Sequence, residues 1–143
     1  MPDAAVIDVA AALVVRDGRL LITRRPPGKH LAGLWEFPGG KLSPGEAWER
    51  ALARELMEEV GLQVFPGPLY EEILHAYPGK TVRLRFYLCT PGPGEPRPLE
   101  CDAVAWASRD DLARHAFPEA DQRLLERLRS DPAIWCPGSP GRA

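Results

Sequence analysis

Cysteine and histidine are both scarce in this chain, and their placement removes several kinds of chemistry. Cys89, Cys101 and Cys136 form an odd set with no C-x-x-C pair, so neither a zinc ribbon nor a disulfide framework is suggested. His30 and His75 stand alone and His115 neighbours no nucleophile, which leaves covalent catalysis without a candidate. No apolar run reaches the roughly 18 residues of a membrane helix. The apolar opening stretch has no basic segment ahead of it, so neither membrane insertion nor secretion is expected and the cytoplasm is the default location. A formal charge of −2 and a pI near 5.9 give no basic field for long nucleic acid. A nucleotide-sized anion, neutralised locally by arginine and metal, remains compatible. What is present suits one folded domain: 143 residues, 45% hydrophobic and 27% charged, enough for a core and short for two. Monomer and homodimer are both open.

Residues 40–62, GKLSPGEAWERALARELMEEVGL, are the most informative stretch. Glu55, Glu58 and Glu59 are spaced i, i+3 and i+4, so on a helix they share one face and their carboxylates converge. Like charges so placed repel, and a cation would offset the repulsion. An oxygen-rich cluster suits Mg²⁺ or Mn²⁺, particularly when a substrate brings phosphates of its own. Helix spacing alone favours a solvated charged face, in which Arg54 and Glu58 make an i,i+4 ion pair; the flanking glycines and the full spacing shift the balance towards the metal site.

Apolar residues at 6–15 suggest a strand, although the nearby alanines weaken it. Asp17-Gly18 signals a hairpin and 19–24 the returning strand. Pro26-Pro27-Gly28 opens a loop that runs to Trp35. Ser43-Pro44-Gly45-Glu46 reads as a capped helix start, with Pro44 at the first helical position, and the helix should end at Gly61. Ala47, Ala51, Leu52, Leu56 and Val60 make its apolar stripe. Strands follow at 69–76 and 81–90 around a turn at 77–80, with alternation that implies one core face. The proline-rich stretch 91–98 is a loop, 104–107 a short strand, and 118–128 a second helix. Residues 1–131 make the domain, and 132–143 a Pro/Gly-rich tail. Several strands and two helices imply a mixed sheet between helical layers.

Gly40, five residues, Glu46, seven residues, Arg54-Glu55-Leu56, one residue, Glu58-Glu59, one residue, Gly61-Leu62 matches every position of the Nudix box. The chain therefore resembles the Nudix hydrolases. Residues 20–45, LLITRRPPGKHLAGLWEFPGGKLSPG, are similar to the MutT-type, 8-oxo-dGTP diphosphatase-like branch. A looser likeness extends to Trp106 and to 117–121. The resemblance implies the Nudix fold, an α/β/α sandwich. It also implies Mg²⁺-dependent hydrolysis of nucleoside triphosphates to monophosphate and pyrophosphate, with water attacking the β-phosphorus, in the service of nucleotide-pool sanitation and DNA repair.

Carried over by position, Glu55, Glu58 and Glu59 would ligate the metal, with the Gly39 carbonyl completing the shell. Arg54 would orient these carboxylates, and Glu46 would support the motif rather than perform chemistry. Glu58, Glu59 and Glu100 are alternative general bases, and Glu100 is an alternative metal ligand. Arg25 and Lys41 are phosphate candidates; solvated surface roles compete for both. Leu34, Phe37 and Tyr77 would form an apolar slot for the base, against the simpler reading that they are core. Asp121 stands where MutT-type enzymes have an asparagine that reads the purine edge, and Gly79 where the prototype has an acid. Both departures favour a broader or pyrimidine-preferring triphosphatase as the alternative, ahead of an ADP-sugar or dinucleoside-polyphosphate hydrolase. A non-catalytic nucleotide-binding module comes last, because such modules commonly lack the helix glutamates kept here.

Overall fold

Asp17 and Gly18 take φ of 51° and 71°, which turns the chain tightly between β1 (Ala5–Arg16) and β2 (Arg19–Arg24). The computed structural model describes residues 5–136. β3 (Trp35–Glu36) pairs with β2, and β4 (Gly39–Lys41) with β1. Helix α1 (Trp48–Val60) follows, then the long hairpin of β5 (Val64–Tyr77) and β6 (Lys80–Pro91), and β7 (Ala103–Ala107), which pairs with β2. The sheet order is β3-β2-β1-β6-β5, and β6 runs parallel to β1. This is the expected mixed sheet, with helical layers on its two faces.

Alternation along β1 serves both layers. Ala10, Ala12 and Val14 pack with Leu52, Leu56 and Val60 of α1. Ala11, Leu13 and Val15 pack towards α3 (Gln122–Arg129), whose Leu124, Leu125 and Leu128 are buried. The alanines that blurred the strand in the sequence thus lie where both faces are covered. β6 is covered twice as well: Phe86 and Leu88 face α3, whereas Tyr87 and Cys89 face α1. Only its first half, with Arg83 and Arg85 towards the α1 side, shows the one-faced pattern expected throughout. The Cys89 thiol is pushed up to about 12 by burial and is inert.

Three boundaries differ from expectation. Helix α1 starts at Trp48, not at Pro44, with Ala47 extended ahead of it and no side-chain cap. The reason is Gly45, whose φ of 76° cannot continue a right-handed helix. Glu46 still accepts the Ser43 N–H at 2.9 Å, so half of the capping box survives as a turn. The predicted helix at 118–128 opens as a 3₁₀ turn, Glu119–Asp121, before α3. β5 begins at Val64, with register shifts that absorb Pro66, Gly67 and Pro68.

A short helix α2 (Arg109–Leu112) with a Ser108–Asp111 capping box precedes α3. Pro132–Trp135 forms a last helical turn, α4, with Ile134 in the core and Trp135 Nε1 donating to the Leu128 carbonyl at 2.8 Å. The rest of the expected tail, 137–143, lies outside the described residues. No helix among the described residues is long and apolar enough to cross a membrane.

Candidate active site

Burying Leu52 and Leu56 of α1 contributes about 1.5–3 kcal/mol each and fixes the rotation of the helix. That rotation decides where its glutamates go. Glu59 sits at the edge of the buried stripe, 9% exposed, and accepts the Gly39 N–H at 3.1 Å. Glu55 lies against Gly40, where a Cβ would come within 2.5 Å of Glu55 Oε1. At Gly39 a Cβ would sit 2.8 Å from Ala11 Cα. The two glycines are therefore required by close approach, of a carboxylate to one and of backbone to the other.

Arg54 ties the motif together. Its Nε and Nη2 hold Glu46 at 2.8 and 2.9 Å, while Nη1 reaches Glu55 at 3.2 Å and Glu58 at 3.1 Å. The bidentate partner is Glu46, and the hydrogen bonds from Arg54 bring its carboxyl down to about 2. Glu46 and Arg54 thus act as one positioning unit under the carboxylates. The i,i+4 pair with Glu58 is present too.

A cavity of about 360 Å³ lies beside this end of the helix. Glu55, Glu59 and Glu100 line its acidic side, and Gly39, Gly40 and Lys41 its rim. The Glu100 N–H donates to the Glu59 carbonyl at 3.1 Å, which brings the loop acid to the helix. Glu58 is turned out of the cavity onto Arg54, with its side chain 48% exposed. Phe37, Leu84, Phe86 and Asp121 line it too. Phe37 is wedged between Phe86 and Phe117, so its core and slot roles are the same role. Leu34 and Tyr77 do not line the cavity. Leu34 holds the loop closed by accepting the Arg25 N–H, and Tyr77 meets the rings of His30 and His75.

Arg24 and Arg25 diverge, as strand alternation requires. Arg24 pairs with Asp102, whereas Arg25 lines the cavity and pairs with Glu36 at 3.0 Å and with the His30 carbonyl at 2.6 Å. Glu36 and Lys29 also line the cavity, and sequence reasoning missed both. An acid inside the aromatic run Leu34-Trp35-Glu36-Phe37 was the available signal, since a charge buried among rings needs a partner.

Five carboxylates thus share one cavity. Desolvation raises Glu55 and Glu36 above the usual range. It pushes Glu59 up to about 8, helped by the charge of Glu36, and Asp121 up to about 7 for the same two reasons. Asp121 stands at the N-terminus of α3, and its side chain makes no capping hydrogen bond there.

Among the described residues, no three His, Cys, Asp or Glu side chains form a ready-made metal cage. The donor set nevertheless suits a hard divalent cation, being all carboxylate, and Glu55 fills the space that a side chain at residue 40 would take. Mg²⁺ usually keeps several waters and substrate oxygens, so it needs few protein ligands.

Residues 9–127 match the NUDIX domain family, and the chain belongs to that family as a MutT-like pyrophosphohydrolase. It is 37% identical over 130 residues to an 8-oxo-dGTP diphosphatase of Haemophilus influenzae, covering 90% of this chain and 96% of that one. It is 35% identical over 120 residues to a CTP pyrophosphohydrolase of Escherichia coli, covering 84% and 89%. The crystal structure of a MutT Nudix hydrolase from Burkholderia pseudomallei superposes with a TM-score of 0.77 at 33% identity, covering 86% of this chain and 98% of that one.

Proposed function

We propose that this enzyme hydrolyses nucleoside triphosphates, oxidised ones such as 8-oxo-dGTP among them, to monophosphate and pyrophosphate, and so cleans the cytoplasmic nucleotide pool. The observation that carries this reading is one cavity lined both by the motif acids Glu55 and Glu59 and by Phe37, Phe86 and Asp121. On this reading the carboxylates take the phosphate end of the substrate and the aromatic residues its base end.

Glu55, Glu58, Glu59 and Glu100, with the Gly39 carbonyl, would hold Mg²⁺ or Mn²⁺. Bound there, the metal supplies charge neutralisation at the phosphate oxygens and a more acidic water. Lys41 and Lys29, which have no ion-pair partner among the described residues, face the phosphates; Arg25 is already engaged by Glu36. Water forms a bond to the β-phosphorus as the bridging oxygen leaves with the nucleoside monophosphate. Its proton passes to Glu58, Glu59 or Glu100. Hydrolysis in ¹⁸O-water with Mg²⁺ is expected to put label in pyrophosphate; label in the monophosphate would refute attack at the β-phosphorus.

At the base end, the identity of residue 121 favours a second substrate preference. An ionised Asp121 only accepts hydrogen bonds, which suits the exocyclic amine of cytosine, and the Escherichia coli relative is a CTP pyrophosphohydrolase. Held near 7, however, the same carboxyl is partly protonated at neutral pH and can donate as an asparagine would. Asp121→Asn is expected to change the kcat/KM ratio between 8-oxo-dGTP and CTP by roughly tenfold or more, from a contact of about 1.5–3 kcal/mol. An unchanged ratio across a nucleotide panel would remove Asp121 from base selection.

A further inference from the structure

β5 carries a bulge at Tyr70: Leu69 lies opposite Tyr87 and Glu71 opposite Phe86, so Tyr70 is the extra residue between them. Bulges re-aim side chains, and this one turns two towards α3. The Glu71 carboxylate, 12% exposed, takes Arg123 on one oxygen at 2.9 Å and Arg127 on the other. These arginines are one helical turn apart on α3, so a single acid grips the helix at two levels. The Arg127 guanidinium also lies 4.1 Å from the centre of the Tyr70 ring and donates to the Tyr70 carbonyl. The Tyr70 hydroxyl donates to Asp131 at 2.8 Å, just past the end of α3. At its other end, α3 is joined to the preceding segment by the Gln122 side-chain amide, which donates to the Phe117 and Pro118 carbonyls. Asp121 sits at that junction, buried in the cavity, and no side-chain hydrogen bond to it is made among the described residues.

We infer that the Tyr70–Glu71 bulge positions Asp121: by clamping α3 along its length it sets the distance of the Asp121 carboxyl from the base, and with it base preference. This rests on the proposed role of Asp121. Tyr70, Glu71, Arg123 and Arg127 touch no substrate; they are positioning residues.

The test compares kcat and KM for 8-oxo-dGTP and CTP at saturating Mg²⁺ in Glu71→Gln, in Asp121→Ala and in the double variant. Glu71→Gln is expected to raise KM and to change the kcat/KM ratio of the two substrates by about tenfold, with kcat on the preferred one within about threefold. In the Asp121→Ala background it should leave the ratio where Asp121→Ala alone puts it. Glu95→Gln, which cuts the Arg16–Glu95 pair between β1 and the loop after β6, controls for general loosening and should leave the ratio unchanged. If Asp121→Ala changes the ratio and Glu71→Gln does not, the positioning role is overturned and the role of Asp121 stands. If Asp121→Ala has no effect, both fall. Should Glu71→Gln fail to fold, Arg123→Met removes one contact from a side chain that is 80% exposed, and the same outcomes apply.

Discussion

Glutamine at position 59 is expected to leave a folded enzyme whose kcat at saturating Mg²⁺ is lower by about 10²–10³-fold, the scale seen when one charge-stabilising group is removed. Glu59 presents a buried carboxylate to the cavity, held by the Gly39 N–H, and burial makes it the motif acid least replaceable by water. Glu58→Gln should show a comparable loss if Glu58 swings from Arg54 into the site when substrate and metal arrive. Glu46→Gln should cost less, since Glu46 acts through Arg54. Near-normal turnover in Glu59→Gln would remove that residue from the reaction. A loss confined to Glu59 would instead mark Glu58 as a surface partner of Arg54.

A second large effect concerns pH in the absence of metal. Glu59 is raised from 4.5 to about 8 and Asp121 from 3.8 to about 7, so the folded protein holds protons that the unfolded chain has released. The stability these groups contribute is complete below about pH 4 and is lost as pH rises through 7 and 8. Metal-free protein should therefore melt lower at pH 8 than at pH 5.5, by roughly 10 °C or more on the usual scaling of stability with melting temperature. Glu59→Gln should remove much of that slope. Mg²⁺ should stabilise the wild type more at pH 8 than at pH 6, because it binds the carboxylate form. A melting temperature that does not fall between pH 5.5 and 8 in EDTA would contradict the burial of these acids.

The helix with the motif acids was legible because its information is local. Helix period puts Glu55 and Glu59 on the face that meets the cavity, although Glu58 turns out onto Arg54, and Gly61 ends the helix as a glycine should, with φ of 66°. The helix start was misread because Ser43, Pro44 and Glu46 carry a start signature that one left-handed glycine overrides. The base end was less legible. Glu36 reaches the cavity through β2–β3 pairing, and Asp121 through the packing of α3, and neither contact has a sequence period. Tyr77 has the aromatic character that a base slot needs, yet the hairpin end directs it to His75 and His30. Residue type announces such roles, and tertiary geometry assigns them.

Glu36 has one further consequence. The helix with the motif acids and the helix behind Asp121 cover opposite faces of the sheet, so substitutions could alter either without disturbing the other's packing. Glu36 spans that partition electrically: its charge raises both Glu59 and Asp121. Divergence towards a new substrate is therefore not free of the reaction's operating range. A lineage that exchanged Glu36 for a neutral residue would shift the ionisation of Glu59 and Asp121 together and would leave Arg25 without its carboxylate partner.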